Sequence, residues 1–276
     1  MTAPETAPGD VNAPLGLVEP HAGLLTAPAA GQRLYKLMSV ENLLRAVTDA
    51  YLHFNRVDYY TDFADADPFD GAELPNDAPA NIAAVFEKAP SFSLSDYYAR
   101  SRGRTYACCF SQENSRFIWS HYGLGSPKGQ VGLEFDFEAL RRRLNRTLAA
   151  GGAALMVGQA QCRQILSVNY GEVSYVPWAA HKTPPGRARN PVEYAYLKDE
   201  RYRDEREVRV TLSAFGMGEF VLADGSKIGF PPALQMEFDF RQAIADGAVR
   251  QILTGPTTDT AYLQDELAKL GVGAAL

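Results

Sequence analysis

The chain has 276 residues, of which 46% are hydrophobic and 22% charged, and its formal net charge is −6. Disorder of the whole chain is excluded, because disorder requires low hydrophobicity together with high charge. The acidic balance also argues against a protein that grips nucleic acid through a basic surface. No apolar run approaches the roughly 18 residues of a membrane helix, so we expect no membrane partner.

The cysteines and histidines give no metal motif. Cys108 and Cys109 are adjacent, Cys162 stands alone, and no Cys-x-x-Cys spacing occurs. Neighbouring cysteines rarely bridge each other, and structural zinc sites need closely spaced ligand pairs. The four histidines are dispersed. We therefore predict reduced thiols, a cytoplasmic protein and no bound metal.

Residues 1–31 differ from the rest of the chain. They are rich in Ala and Pro and contain no Lys or Arg, so they lack the basic start of a secretory signal. We predict a flexible tail, whose segment 15–25 could still lie on the domain. Residues 32–276 are then a single catalytic or ligand-binding domain.

The first half of this domain alternates between strands and helices. The hydrophobic periods predict a strand over 34–38, a helix after the capping residue Ser39, a strand over 51–57, an acidic loop over 58–76, a helix over 81–88 and a buried strand over 105–110.

The second half is richer in strands. We predict a helix over 115–122, a strand over 130–137, a helix over 137–150, a strand pair broken at Gly171 within 164–176, a strand over 207–213, a hairpin over 219–230, a strand over 248–255 and a helix over 260–270. The expected class is α+β: one mixed domain with a largely antiparallel sheet and surrounding helices.

The acidic loop partly matches the ligand spacing of a calcium site. Asp65 and Asp67 have the spacing of calcium ligands, but Phe69 stands where the third ligand is needed, so the spacing disfavours calcium. The favoured interpretation is a turn over 67–71 with Phe69 anchored in the core. The alternative is an acidic contribution to the rim of a pocket.

Two further clusters contain side chains that could bind a ligand or take part in catalysis. The first contains Ser111 at a strand end with Trp119, His121 and Tyr122; Trp119 and Tyr122 share a helix face, which either packs in the core or stacks on a planar ligand.

The second cluster contains Lys198, Tyr202, Glu205, Glu207 and Arg209. The last three are spaced by two, so on a strand they would share one face. That face is either a solvated ladder of charges or a catalytic carboxylate held by a cation.

An arginine-rich segment completes the set. Arg141, Arg142, Arg143 and Arg146 lie on the predicted helix 137–150, after the acids Asp136 and Glu138. A solvated helix is the favoured interpretation. The alternative is a surface for a nucleic-acid acceptor, detectable through salt-dependent binding.

An ordered series of segments resembles a bacterial family. It consists of Leu34-Tyr35-Lys36, Asp67-Pro68-Phe69-Asp70, Cys109-Phe110-Ser111, Trp119-Ser120-His121-Tyr122, Gly129 to Phe135, Lys198 to Arg209 and Ile252-Leu253-Thr254-Gly255-Pro256. Together they resemble domain of unknown function 2971 over roughly residues 33–272.

A second resemblance implies an activity. The opening strand and Asn42-Leu43-Leu44, the strand-end Ser111 and the late Glu205-Arg206-Glu207 are similar to ADP-ribosyltransferase folds.

The resemblance implies that Glu207 grips the ribose of NAD and that Glu205 orients or deprotonates an acceptor. It further implies pyrophosphate contacts from Tyr35 and Lys36, or from Arg209, and a nicotinamide covered by Trp119 or Tyr122.

Three functions remain open on the sequence alone. The first is an NAD-dependent ADP-ribosyltransferase-like enzyme in a toxin or phage-defence setting, with an unidentified protein or nucleic-acid acceptor. The second is a non-catalytic ligand-sensing or interaction module that uses the same pocket. The third is a metal-dependent nuclease or hydrolase that uses the acidic loop.

Overall fold

The computed structural model describes residues 24–62, 67–149, 155–157, 160–162, 165–216, 218–222 and 224–273. The predicted tail lies outside these ranges as far as residue 23. Its last part contacts the domain, because the Thr26 carbonyl accepts a hydrogen bond of 2.8 Å from the Glu172 amide. Leu25 packs beside Val192 and Tyr196.

Strands and helices alternate along the described chain. The strands are β1 (Arg33–Ser39), β2 (Tyr51–Arg56), β3 (Val85–Phe86), β4 (Ala89–Ser93), β5 (Thr105–Ser111), β6 (Gln130–Asp136), β7 (Leu155–Val157), β8 (Ala160–Cys162), β9 (Ile165–Glu172), β10 (Ser174–Val176), β11 (Leu197–Asp199), β12 (Glu207–Ala214), β13 (Glu219–Val221), β14 (Lys227–Gly229), β15 (Ala233–Glu237) and β16 (Val249–Thr254). The helices are α1 (Val40–Thr48), α2 (Ala78–Ala83), α3 (Leu94–Arg102), α4 (Arg116–His121), α5 (Phe137–Ala149), α6 (Pro191–Tyr194), α7 (Phe240–Ala245) and α8 (Thr260–Lys269). Two 3₁₀ helices span Val57–Asp62 and Glu200–Glu205.

The large sheet is antiparallel throughout its described pairings, which confirms the predicted α+β class. Its main path runs β16-β6-β1-β5-β2-β15-β7-β8, and a branch adds β12 and β9 beside β5. β12 pairs with β5 from Glu207↔Ser111 to Ser213↔Thr105. β5 is therefore the central strand.

The sheet forks on the other edge of β5. There β1 pairs at Ser111 and β2 pairs near Ala107. Between these two contacts, the Lys36 ammonium donates a 3.1 Å hydrogen bond to the Cys109 carbonyl. Lys36 thus supplies a partner to a backbone acceptor in the fork.

The principal hydrophobic core lies on one face of this sheet. Leu34 of β1, Phe110 of β5 and Val208 of β12 belong to it, together with apolar residues of α1, α5, α7 and α8. Because side chains alternate along a strand, the residues between them face the opposite side. We call that side the site face.

Several boundaries differ from the sequence-based predictions. The helix predicted over 81–88 begins earlier, with Pro79 in its first turn, a position that tolerates proline. Val85 and Phe86 form β3 instead, because β-branched and aromatic residues favour strands. The strand pair predicted within 164–176 is present as β9 and β10, but its break lies at Val173, two residues after Gly171.

Within the described residues, each helix is too short or too polar to cross a bilayer.

Candidate functional site

A row of polar side chains crosses the site face. The register pairs Gln251 with Glu134, Glu134 with Tyr35, Tyr35 with Ser111, and Ser111 with Glu207. These residues therefore lie side by side on β16, β6, β1, β5 and β12. Gln251 is exposed, whereas Ser111 and Glu207 are each 5% exposed. At about 4.8 Å per strand, the row spans roughly 19 Å.

Glu207 is an ionised carboxylate at the buried end of the row. Its oxygens accept hydrogen bonds of 2.7 and 2.9 Å from Arg209 Nε and Nη2, and Lys198 Nζ lies 3.4 Å away. Burial opposes ionisation, but the charges of Arg209 and Lys198 outweigh it and hold the pKa of Glu207 far below its usual range. Its backbone amide donates to the Tyr175 hydroxyl at 2.8 Å.

Arg209 is a positioning residue with no free donor. It is 1% exposed, and its five N–H groups reach Asp70 twice, Glu207 twice and the Ala195 carbonyl once. A guanidinium has five such donors. The geometry therefore leaves Arg209 nothing to offer a pyrophosphate, which was one of the roles that the resemblance implied.

Glu205 reaches the site from a 3₁₀ helix and not, as the spacing predicted, from the same strand as Glu207. Arg206 between them adopts φ 47°, in the left-handed region, and caps that helix. This turn brings Glu205 to 2.5 Å from Lys198 Nζ and within hydrogen-bonding reach of Tyr122. Burial, followed by the negative charge of Glu207, raises the pKa of Glu205.

Ser111 holds the loop that carries Glu205. Its hydroxyl donates a 2.8 Å hydrogen bond to the Glu205 carbonyl and accepts one of 3.2 Å from the Glu113 amide. The predicted strand-end position of Ser111 is confirmed, since it is the last residue of β5. In this structure Ser111 fixes backbone geometry next to the two carboxylates.

The predicted aromatic residues lie above the site face. Trp119, in α4, donates from Nε1 to Asn114 Oδ1 at 2.6 Å. A Cβ at Gly132 or Gly255 would come within 3.1 or 2.9 Å of its ring, so these glycines let the indole pack against the sheet. Tyr122 follows α4 and is 40% exposed. Burial of its hydroxyl and the neighbouring Glu205 raise the pKa of Tyr122.

Tyr35 and Lys36 point to opposite faces of β1. Tyr35 belongs to the polar row, whereas Lys36 reaches into the fork and lies 5.5 Å from the centre of the Phe110 ring. The resemblance implied that both side chains contact the pyrophosphate. Because they lie on opposite faces, they do not converge on one ligand group. Arg33 shares the face of Tyr35 and pairs with Glu134 at 2.9 Å.

The acidic loop contributes to the site through its carboxylates. Residues 68–71 form the predicted turn, but Phe69 is 46% exposed and lies 6.0 Å from the Trp178 ring. The prediction that Phe69 anchors the turn was wrong, because the buried groups are Asp67 and Asp70. Among the residues that the structure describes, Asp67 Oδ2 has no hydrogen-bond partner, and burial raises the pKa of Asp67.

The metal alternative depends on the acidic loop, and the nucleic-acid alternative depends on the arginines of α5. The part of the chain that is described contains no group of three or more His, Cys, Asp or Glu side chains that could hold a metal ion; Asp65 lies outside it. On α5, Arg143 is buried and pairs with Asp246, as does Arg146, and Arg142 lies 3.6 Å from Glu138. Arg143 is therefore engaged within the fold, whereas the side chains of Arg142 and Arg146 are more than half exposed, as the solvated-helix interpretation expects.

Sequence reasoning missed Asp70 as the partner of Arg209, Glu134 and Gln251 as members of the polar row, and Arg33 as the ion-pair partner of Glu134. The pairing of Asp70 with Arg209 had a signal in the sequence. A buried arginine needs anionic partners, and Asp70 belongs to the acidic segment 67–70. The strand register that aligns the polar row depends on distant residues, so no local sequence pattern predicts it.

No family model, curated protein or solved structure matches this chain.

Proposed function

We propose that the chain is an ADP-ribosyltransferase-like enzyme that breaks the bond between nicotinamide and ribose in NAD at Glu207. One observation carries the proposal: Tyr35, Ser111 and Glu207, which the resemblance assigns to separate strands, are register neighbours on three adjacent strands. Three polar groups from distant parts of the sequence thereby meet on one face.

The two glutamates differ in a way that suits this reaction. Breaking the bond builds positive charge on the ribose, and an anion fixed nearby stabilises it. Glu207 remains anionic because Arg209 and Lys198 lower its pKa. Glu205 has a raised pKa, which suits a group that takes a proton from an acceptor. Environments that separate two carboxylates in this way support distinct roles for them.

The surrounding residues divide the remaining tasks. Tyr122 lies beside Glu205 and is partly exposed, so it is placed to cover the nicotinamide at the entrance of the site. Trp119 is held rigidly further along the row. The cation for the pyrophosphate is Arg33 in this proposal, because Lys36 faces away and the donors of Arg209 are all used.

A non-catalytic module is the second candidate. The network of Glu205, Glu207, Lys198 and Arg209 is almost fully buried, and its charges satisfy one another. Such a network can stabilise a sensor fold without meeting substrate. In that case NAD would bind and stabilise the protein without being consumed.

The test is nicotinamide release from NAD by the purified full chain. We expect release by the wild type, loss of at least about 100-fold for Glu207→Gln, and wild-type release for the control Glu200→Gln, whose side chain is half exposed. Thermal melting with NAD is measured in parallel. Stabilisation without release favours the sensor, and neither release nor stabilisation refutes both functions.

A further inference from the structure

We propose that a cleft beside Trp119 binds a neutral nucleobase, with adenine as the best match. The cleft has a volume of about 520 Å³ and lies where the edge strand β16 meets the start of α8. Ligand sites for small molecules generally measure about 300–1,000 Å³. A base or nucleoside is therefore of suitable size, and the cleft lies four strands away from Glu207.

The chemistry of the wall selects an uncharged ligand. Its polar side chains are amides and hydroxyls, and none of the described side chains lining it is ionisable: Asn114, Gln251, Thr254, Thr260 and Gln264. A phosphate or carboxylate would lose its hydration here without gaining a cation. A neutral ring that both donates and accepts hydrogen bonds would lose little free energy, because the amides and hydroxyls replace its hydrogen bonds to water.

Trp119 supplies a rigid aromatic wall. Its Nε1 is committed to Asn114, and Gly132 and Gly255 leave its ring little room to shift. Stacking of a base on an aromatic side chain is insensitive to which base is bound. Selectivity must therefore come from the amides.

The amides favour adenine. A glutamine side chain can donate to adenine N7 and accept from N6 at the same time. Gln264 is exposed on α8, and Gln251 is exposed on the edge strand, so each can turn toward a ligand without disturbing the core. The proposal is independent of chemistry at Glu207.

The experiment is calorimetric titration of the full chain with adenosine, uridine and adenosine 5′-monophosphate. We expect saturable adenosine binding, weaker uridine binding, and no gain from the phosphate. Gln264→Leu should weaken adenosine binding by about tenfold. The control Gln242→Leu, on α7 and outside the cleft, should bind as the wild type does.

Three results would overturn the assignment. One is the absence of saturable binding at about 1 mM adenosine. Another is unchanged binding in Gln264→Leu, and the third is an equal loss in Gln242→Leu. Failure of NAD turnover would leave the expected adenosine result unaltered, so the two proposals fail separately.

Discussion

Removal of the buried guanidinium of Arg209 tests the site network most directly. The substitution Arg209→Met keeps similar bulk but deletes five hydrogen bonds, four of them to the carboxylates of Asp70 and Glu207. Leaving buried charges without their partner costs about 3–5 kcal/mol. The orphaned Ala195 carbonyl adds about 1 kcal/mol, giving about 4–6 kcal/mol in total, a large part of an ordinary domain's stability.

The loss should depend on pH in a definite direction. In the wild type, the lowered pKa of Glu207 stabilises the folded state at pH values above about 4.3, the pKa of glutamate in an unfolded chain. This stabilisation is lost as the pH falls below that value. In Arg209→Met, Glu207 loses the larger of the two charges that lower its pKa and keeps only Lys198, so less of this stability is present at about pH 8 and less of it is lost on acidification. The stability difference between the two proteins should therefore be smaller at about pH 3, below the unfolded pKa, than at about pH 8.

Urea unfolding of both proteins at the two pH values measures this difference. Asp70→Asn and the double variant complete a cycle, in which the double variant should lose less than the sum of the single losses. A loss below about 1 kcal/mol at both pH values would refute the argument that Arg209 holds two buried anions.

Two further predictions concern the neighbours of this network. The folded-state pKa of Glu205 is raised, so its ionisation costs stability when the pH exceeds the pKa of the unfolded chain. Glu205→Gln should therefore gain melting temperature relative to the wild type as the pH rises from about 4 to 8. A difference in melting temperature that stays constant with pH would contradict this. Gly255→Ala would place a Cβ 2.9 Å from the Trp119 ring and should cost about 1–3 kcal/mol in urea unfolding. The control Gly229→Ala, with its nearest atom at 3.8 Å, should change little, and equal losses in both variants would show that the Trp119 contact is not the cause.

The sequence predicted the elements that have strong local signals. The strand of Ser111 is hydrophobic from Tyr106 to Phe110, and Ser39 caps α1 by accepting a hydrogen bond from the Asn42 amide as predicted. These features depend on neighbours a few residues apart, so periodicity and capping rules capture them.

The arrangement of the site depends on contacts between residues that are distant in the sequence. The spacing of Glu205 and Glu207 suggested one strand, but the left-handed Arg206 separates a 3₁₀ helix from β12. A residue without a glycine's freedom rarely adopts that conformation, so the pattern gave no warning of it. Likewise, the resemblance implies a pyrophosphate contact for Lys36, whereas its ammonium donates to the Cys109 carbonyl in the fork of the sheet.

The polar row also has a consequence for folding kinetics. Its members stand at positions 35, 111, 134, 207 and 251, and each contact between them closes a long loop of chain. Such non-local pairings form slowly, and during synthesis Gln251 leaves the ribosome long after Tyr35. The complete row therefore cannot form before residue 251 has been synthesised, and an activity that needs all five members is withheld until then.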